Sequence, residues 1–123
     1  MSNARDIADA GHRIFAFVSF NGTATSGSAS MSENFNISSV DSSGTGQFKI
    51  NFENNPTNTN YIIVGNAFGF NASRSTGRVV TFNSNTSAIY NDSKEEGYFR
   101  ITVKVPSTGD LTASEEVHLI IFA

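Results

Sequence analysis

Residues 35–70 read FNISSVDSSGTGQFKINFENNPTNTNYIIVGNAFGF, and their pattern decides the fold. Phe48, Ile50 and Phe52 alternate with Gln47, Lys49 and Asn51, the period of two of a strand with one wet face. The cluster from Asp41 to Gly46 reads as a turn before that strand. Asn54, Asn55 and Pro56 read as a breaker after it. Residues 61–67 are apolar on both faces and predict a more central, buried strand. Residues 35–40 predict a short strand with Phe35 and Ile37 inward. The core of the segment is therefore strand, tight turn, strand, loop and buried strand, a β-meander.

Outward from this segment, residues 13–21 predict a first strand. Ile14, Ala16, Val18 and Phe20 share one face, and Phe15 and Phe17 load the other. A strand so apolar needs cover on both faces, because exposed aromatic edges invite aggregation. Asn21 and Gly22 then supply turn residues, and residues 23–32 read as a loop or a weak surface strand. On the other side, residues 71–77 and 91–97 read as loops, with short strands at 79–82 and 88–90. In residues 98–105, Phe99, Ile101, Val103 and Val105 face inward while Arg100, Thr102 and Lys104 face outward. Pro106 ends that strand. Residues 116–122 form the last strand, with Val117, Leu119 and Ile121 on one face and His118, Ile120 and Phe122 on the other. No stretch over ten residues has a helical period. Seven or eight short strands with turns between them predict an all-β, antiparallel sandwich of jelly-roll type.

The chain has 123 residues, which suits one domain over residues 13–123. Residues 1–12 are polar and read as a flexible N-terminal arm or docking segment. Asn, Ser and Thr number 14, 17 and 11; beside a clear apolar pattern they read as polar strand faces and turns rather than disorder. Cysteine is absent, which excludes disulfides and thiolate metal sites. With a net charge of −3, 15% charged residues and no basic block, nucleic acid is not an expected partner. The segment MSNARDIADAG has no apolar signal-peptide core, and no apolar run reaches membrane-spanning length. A chain made in the cytoplasm, without membrane insertion, is the expectation.

Two histidines, His12 and His118, do not make a three-ligand metal site by themselves. His118 reads as a packed or interface residue. The adjacent pairs Glu95–Glu96 and Glu115–Glu116 point apart in a strand and are solvated in a loop. No nucleophile-elbow, zinc-protease or phosphate-loop pattern occurs, so no cofactor and no catalysis are expected. Arg74, Arg78, Tyr90 and Tyr98 sit in or beside loops, where aromatic rings and guanidinium groups can stack on and hydrogen-bond a sugar. Packing of the tyrosines in the core is the competing reading. Phe15, Phe17, Ile120 and Phe122 occupy the second apolar faces of the first and last strands and are candidates for a subunit contact.

FAFVSFNGTA at residues 15–24, FNISSVDSSGTGQFKINFENNP at 35–56 and NYIIVGNA at 60–67 together resemble a β-module of bacteriophage tail-fibre proteins, especially those of marine and cyanobacterial phages. The closing FRITVKVPSTGDLTASEEVHLIIFA resembles the module's last strands. MSNARDIADAG is similar to a segment that recurs in phage fibre proteins. Where the family usually has a tryptophan in the first strand, Phe17 or a neighbour stands here. The resemblance implies a virion structural protein, homotrimeric, on the tail or capsid surface. It also implies a host-surface glycan as ligand and other virion proteins as partners through the arm. A tail-fibre tip or small tail appendage is the leading form. Capsid decoration is the alternative, and a glycan-degrading enzyme or a secreted lectin stands further off.

Overall fold

The computed structural model describes residues 13–69, 78–81 and 94–123. Every regular element among them is a strand: β1 (Ile14–Gly22), β2 (Gly27–Ser28), β3 (Met31–Phe35), β4 (Ile37–Gly44), β5 (Gln47–Phe52), β6 (Ile62–Phe68), β7 (Val79–Thr81), β8 (Tyr98–Lys104) and β9 (Ser114–Phe122). They form two antiparallel sheets. One has four strands in the order β3-β1-β9-β6, the other five in the order β2-β4-β5-β8-β7. The all-β sandwich expected from the sequence is the fold found. The N-terminal arm of residues 1–12, the strand expected at 88–90 and the loop at 71–77 lie outside the described residues.

The core is the layer between the sheets. From the four-stranded sheet come Ala16, Val18 and Phe20 of β1 and Val117, Leu119 and Ile121 of β9, all buried. From the five-stranded sheet come Phe48, Ile50 and Phe52 of β5 and Phe99, Ile101 and Val103 of β8. These are the alternating sets read from the sequence. Phe52 anchors an aromatic cluster, with ring centroids 5.5 Å from Phe15, 5.2 Å from Tyr61 and 5.6 Å from Phe99. Edge-to-face and tilted pairs of this kind add stability beyond the area that they bury.

The meander expected of residues 35–70 is not what forms. β4 and β5 are a hairpin in the five-stranded sheet, but β6 crosses to the other sheet and pairs with β9. The next strand beside β5 is β8. The turn also starts later than expected: Asp41, Ser42 and Ser43 belong to β4, and only Thr45 and Gly46 form the turn. Gly46 sits at φ 68°, the left-handed region that favours glycine. β6 is an edge strand rather than a central one. A run apolar on both faces signals burial on both faces, and among the described residues nothing covers the outer face of β6, where Ile62 and Val64 are exposed.

Two further departures come from local backbone geometry. Phe35 was expected to face inward with Ile37; Ile37 is buried but Phe35 is 52% exposed. Between them Asn36 adopts φ 60°, and there the chain leaves one sheet for the other. The Asn36 amide holds this crossing: its Oδ1 accepts from the Asn54 backbone N–H at 2.8 Å, and its Nδ2 donates to Asn54 O at 3.1 Å and Phe15 O at 3.3 Å. In β1 the register shifts between Ile14 and Ala16. This bulge turns Phe15 inward against Phe52 and leaves Ile14 outside, the reverse of strict alternation. At the far side, Thr102 points outward as expected but is buried, its Oγ1 2.5 Å from Thr81 Oγ1.

Candidate assembly face

The four-stranded sheet packs its inner face on the core and turns its outer face outward. The ladder pairings set which side chains are neighbours there. Phe35 of β3 pairs with Phe17 of β1, Phe17 with Ile120 of β9, and Ile120 with Val64 of β6. These four residues form one row across the whole sheet, 52%, 38%, 40% and 55% exposed in that order. The adjacent row is Ile14, Phe122 and Ile62, of which Ile14 and Ile62 are among the exposed large hydrophobics. Phe17 and Phe35 stack with centroids 5.8 Å apart.

On the other side of the apolar row lies a polar one, with Glu33, Ser19, His118 and Asn66 in register. His118 Nε2 lies 4.0 Å from Glu116 Oε2, and its ring meets Phe68 edge-on at 5.9 Å. Between the rows is a hollow of about 230 Å³, lined among others by Ile14, Phe17, Ser19, His118 and Ile120. Exposed apolar patches beyond a few hundred Å² mark interaction sites on soluble proteins. Six large apolar side chains about half exposed amount to roughly 600 Å² of such surface.

Of the four residues singled out for a subunit contact, Phe17 and Ile120 stand opposite each other at the centre of this face. Phe122 lies on it too, half-buried between Ile14 and Ile62. Phe15 does not: the bulge places it in the core side of the sheet, against Phe52. Ile14, Phe35, Ile62 and Val64 complete the face and were not singled out. Alternation in Ile62-Ile63-Val64 carried the signal for two of them, but the same residues also fit a buried strand.

Among the described residues the outer face of the five-stranded sheet is mainly polar by contrast, with Val79 of β7 exposed at its margin. Asn51 Nδ2 donates to Ser39 Oγ and to Asp41 Oδ2, both at 3.0 Å. Lys49 Nζ lies 4.2 Å from the centre of the Tyr98 ring, and the Arg100 guanidinium 5.4 Å from it, which is cation–π geometry. Of the four candidate ligand residues, Arg74 and Tyr90 lie outside the described residues. Arg78 and Tyr98 are not brought together. Arg78 precedes Val79, which pairs with Lys104 at the far end of β8 from Tyr98, so the strand separates them by about 20 Å. The Arg78 guanidinium instead fills the space over Gly69, just past β6.

Behind Tyr98, residues 94–98 are pinned to the core by Tyr61. The Tyr61 hydroxyl donates to Glu95 O at 2.6 Å and lies 3.1 Å from Tyr98 O. Lys94 Nζ donates to Tyr61 O at 2.6 Å and lies 4.9 Å from the ring centre. Burial pushes the Tyr61 hydroxyl well above the usual tyrosine range, since a phenolate there would lose its water. Among the described residues, no group of three or more His, Asp or Glu side chains is placed to hold a metal ion.

No family model matches the sequence, no curated protein matches it, and no solved structure matches the chain.

Proposed function

We propose that the chain is a bacteriophage virion structural protein, a jelly-roll-like module that assembles as a homotrimer on the tail or capsid surface. Its role is attachment to host-surface glycan as a tail-fibre or tail-appendage tip, without catalysis of its own. The carrying observation is the apolar outer face of the four-stranded sheet. A soluble module has no use for such a face alone, and self-assembly covers it. Strand order supports the jelly-roll reading: the first and last strands are neighbours, and the chain alternates between sheets from β5 to β6 to β7, as in that architecture. The motif order along the sequence supports the phage reading, and the polar arm of residues 1–12 supports docking on other virion proteins.

Gold-labelled antibody against the chain, imaged on intact particles of a phage that encodes it, tests the reading. Label at the tail tip is expected. Label spread over the head would make it a capsid decoration protein, and particles without label would remove the virion role.

A further inference from the structure

Where the chain crosses between sheets at Asn36, a second hollow opens, of about 340 Å³, lined by Ile14, Phe15, Phe35, Asn36, Glu53 and Asn54. It is larger than the hollow of about 230 Å³ on the apolar face and reaches the range of small-molecule sites, which begins at about 300 Å³. Its walls are tied together in advance. The Asn36 side chain bonds the backbone of Phe15 and of Asn54, and the Glu53 backbone N–H donates to Asn36 O at 3.0 Å. Little of the ordering cost of binding therefore falls on the protein. Ile14 and Phe35 also belong to the apolar face. Glu53 and Asn54 follow β5 of the other sheet, so the polar half of the hollow stands outside the face proposed for assembly.

The lining has two kinds of surface. Ile14, Phe15 and Phe35 are apolar. Phe35 is 52% exposed and stacks one side of its ring on Phe17, which leaves the other side open. Glu53 and Asn54 are polar and exposed. Among the described residues nothing bonds the Glu53 carboxylate, and the lining holds no Lys, Arg or His. A ligand bearing a carboxylate or phosphate would meet only like charge here. An ammonium group would meet the carboxylate and the negative faces of the rings together. Asn54 Nδ2 is held by Asn36 Oδ1 at 3.2 Å, which leaves Asn54 Oδ1 as an acceptor for a hydroxyl.

We propose that this hollow is a ligand subsite for an amino sugar with a free ammonium group. The ammonium pairs with the Glu53 carboxylate, the apolar C–H face of the sugar ring lies on Phe35, and a ring hydroxyl donates to Asn54 Oδ1. The proposal rests on the reading of the chain as a glycan-attachment module. It gives that reading a place and a charge, at the crossing between sheets rather than beside Tyr98.

Nuclear magnetic resonance of the labelled full chain tests the site at about pH 6, where amines are charged and glutamate is ionised. Methyl glucosaminide should move the backbone signals of Asn36, Glu53 and Asn54, with a dissociation constant in the millimolar range, as expected of so small a ligand. Its N-acetyl counterpart and methyl glucoside, both without the charge, should bind about tenfold or more weakly. Glu53→Gln, at an exposed position, should weaken methyl glucosaminide by the same factor and leave the fold intact. Equal binding of methyl glucoside would overturn the role of the ammonium. Equal binding of acetyl-lysine amide would overturn the choice of a sugar, and no shift with any probe would overturn the site. Adsorption of labelled chain to host cells separates this from the reading beneath it. Loss of adsorption in Glu53→Gln supports the subsite. Equal adsorption of the variant and the natural chain would overturn the subsite and leave attachment standing, whereas a natural chain that does not adsorb would overturn both.

Discussion

At the scale of single residues, Asn36 carries more of the fold than its polar type suggests. It occupies a left-handed backbone conformation, which costs a residue with a side chain roughly 1–2 kcal/mol. Its amide offsets that cost by bonding both Asn54 and Phe15 across the crossing between sheets. Asn36→Ala keeps the strain and loses the bonds, so a loss of about 2–3 kcal/mol is expected in urea unfolding. Asn36→Gly relieves the strain and loses only the bonds, and should cost less. Equal losses for the two would mean that the conformation contributes nothing. Tyr61 makes a separate prediction. Its hydroxyl is held in the neutral form when folded, with a folded pKa above the unfolded one. Its contribution is therefore fully present below the unfolded value of about 10 and is lost as pH rises above it. Unfolding at pH 9 and pH 11 should show a marked loss for the natural chain and a smaller one for Tyr61→Phe. An identical loss in both would assign the effect to other groups.

At the scale of elements, the bulge in β1 separates two phenylalanines that the sequence treats alike. Phe15 belongs to the core cluster around Phe52, and Phe17 to the outer face. Phe15→Ala should therefore destabilise the fold by about 2–4 kcal/mol, while Phe17→Asp should leave chemical unfolding of the isolated subunit within about 1 kcal/mol. The reverse order would place the bulge elsewhere. The inner faces of β5, β8 and β9 were legible from alternation, because packing on one core enforces a period of two. The order of strands was not. Residues 41–43 carry turn-type side chains, yet β4 continues through them, since its pairing with β5 outweighs weak local preference. Nothing in IIVGNAF says which sheet β6 joins; its two apolar faces record a need for cover, and whether that cover is intramolecular or between copies is a matter of topology. The outer face was half legible for the same reason. Phe17, Ile120 and Phe122 followed from strands with two apolar faces, whereas Phe35 escaped because the turn at Asn36 reverses its side.

At the scale of the whole molecule, the two outer faces differ in kind, and the difference has a thermodynamic signature. One face is a hydrogen-bonded polar surface around Asn51 and Tyr98; the other is the apolar row. The proposed assembly through the apolar face would stabilise folded subunits by mass action, because unfolded chains do not associate. For three chains that dissociate as they unfold, a tenfold dilution removes about 0.9 kcal/mol of stability per subunit. In a domain of this length that should lower Tm by roughly 3–5 °C. The variant Phe17→Asp/Ile120→Asp places two carboxylates at the centre of the face, where assembly would strip them of water at high cost. It should remain folded and soluble, with its Tm lower at high concentration and independent of dilution. Calorimetry at two concentrations tenfold apart separates the cases. A natural chain whose Tm does not move on dilution, at a value equal to that of the variant, would show that the apolar face contributes nothing to stability through association.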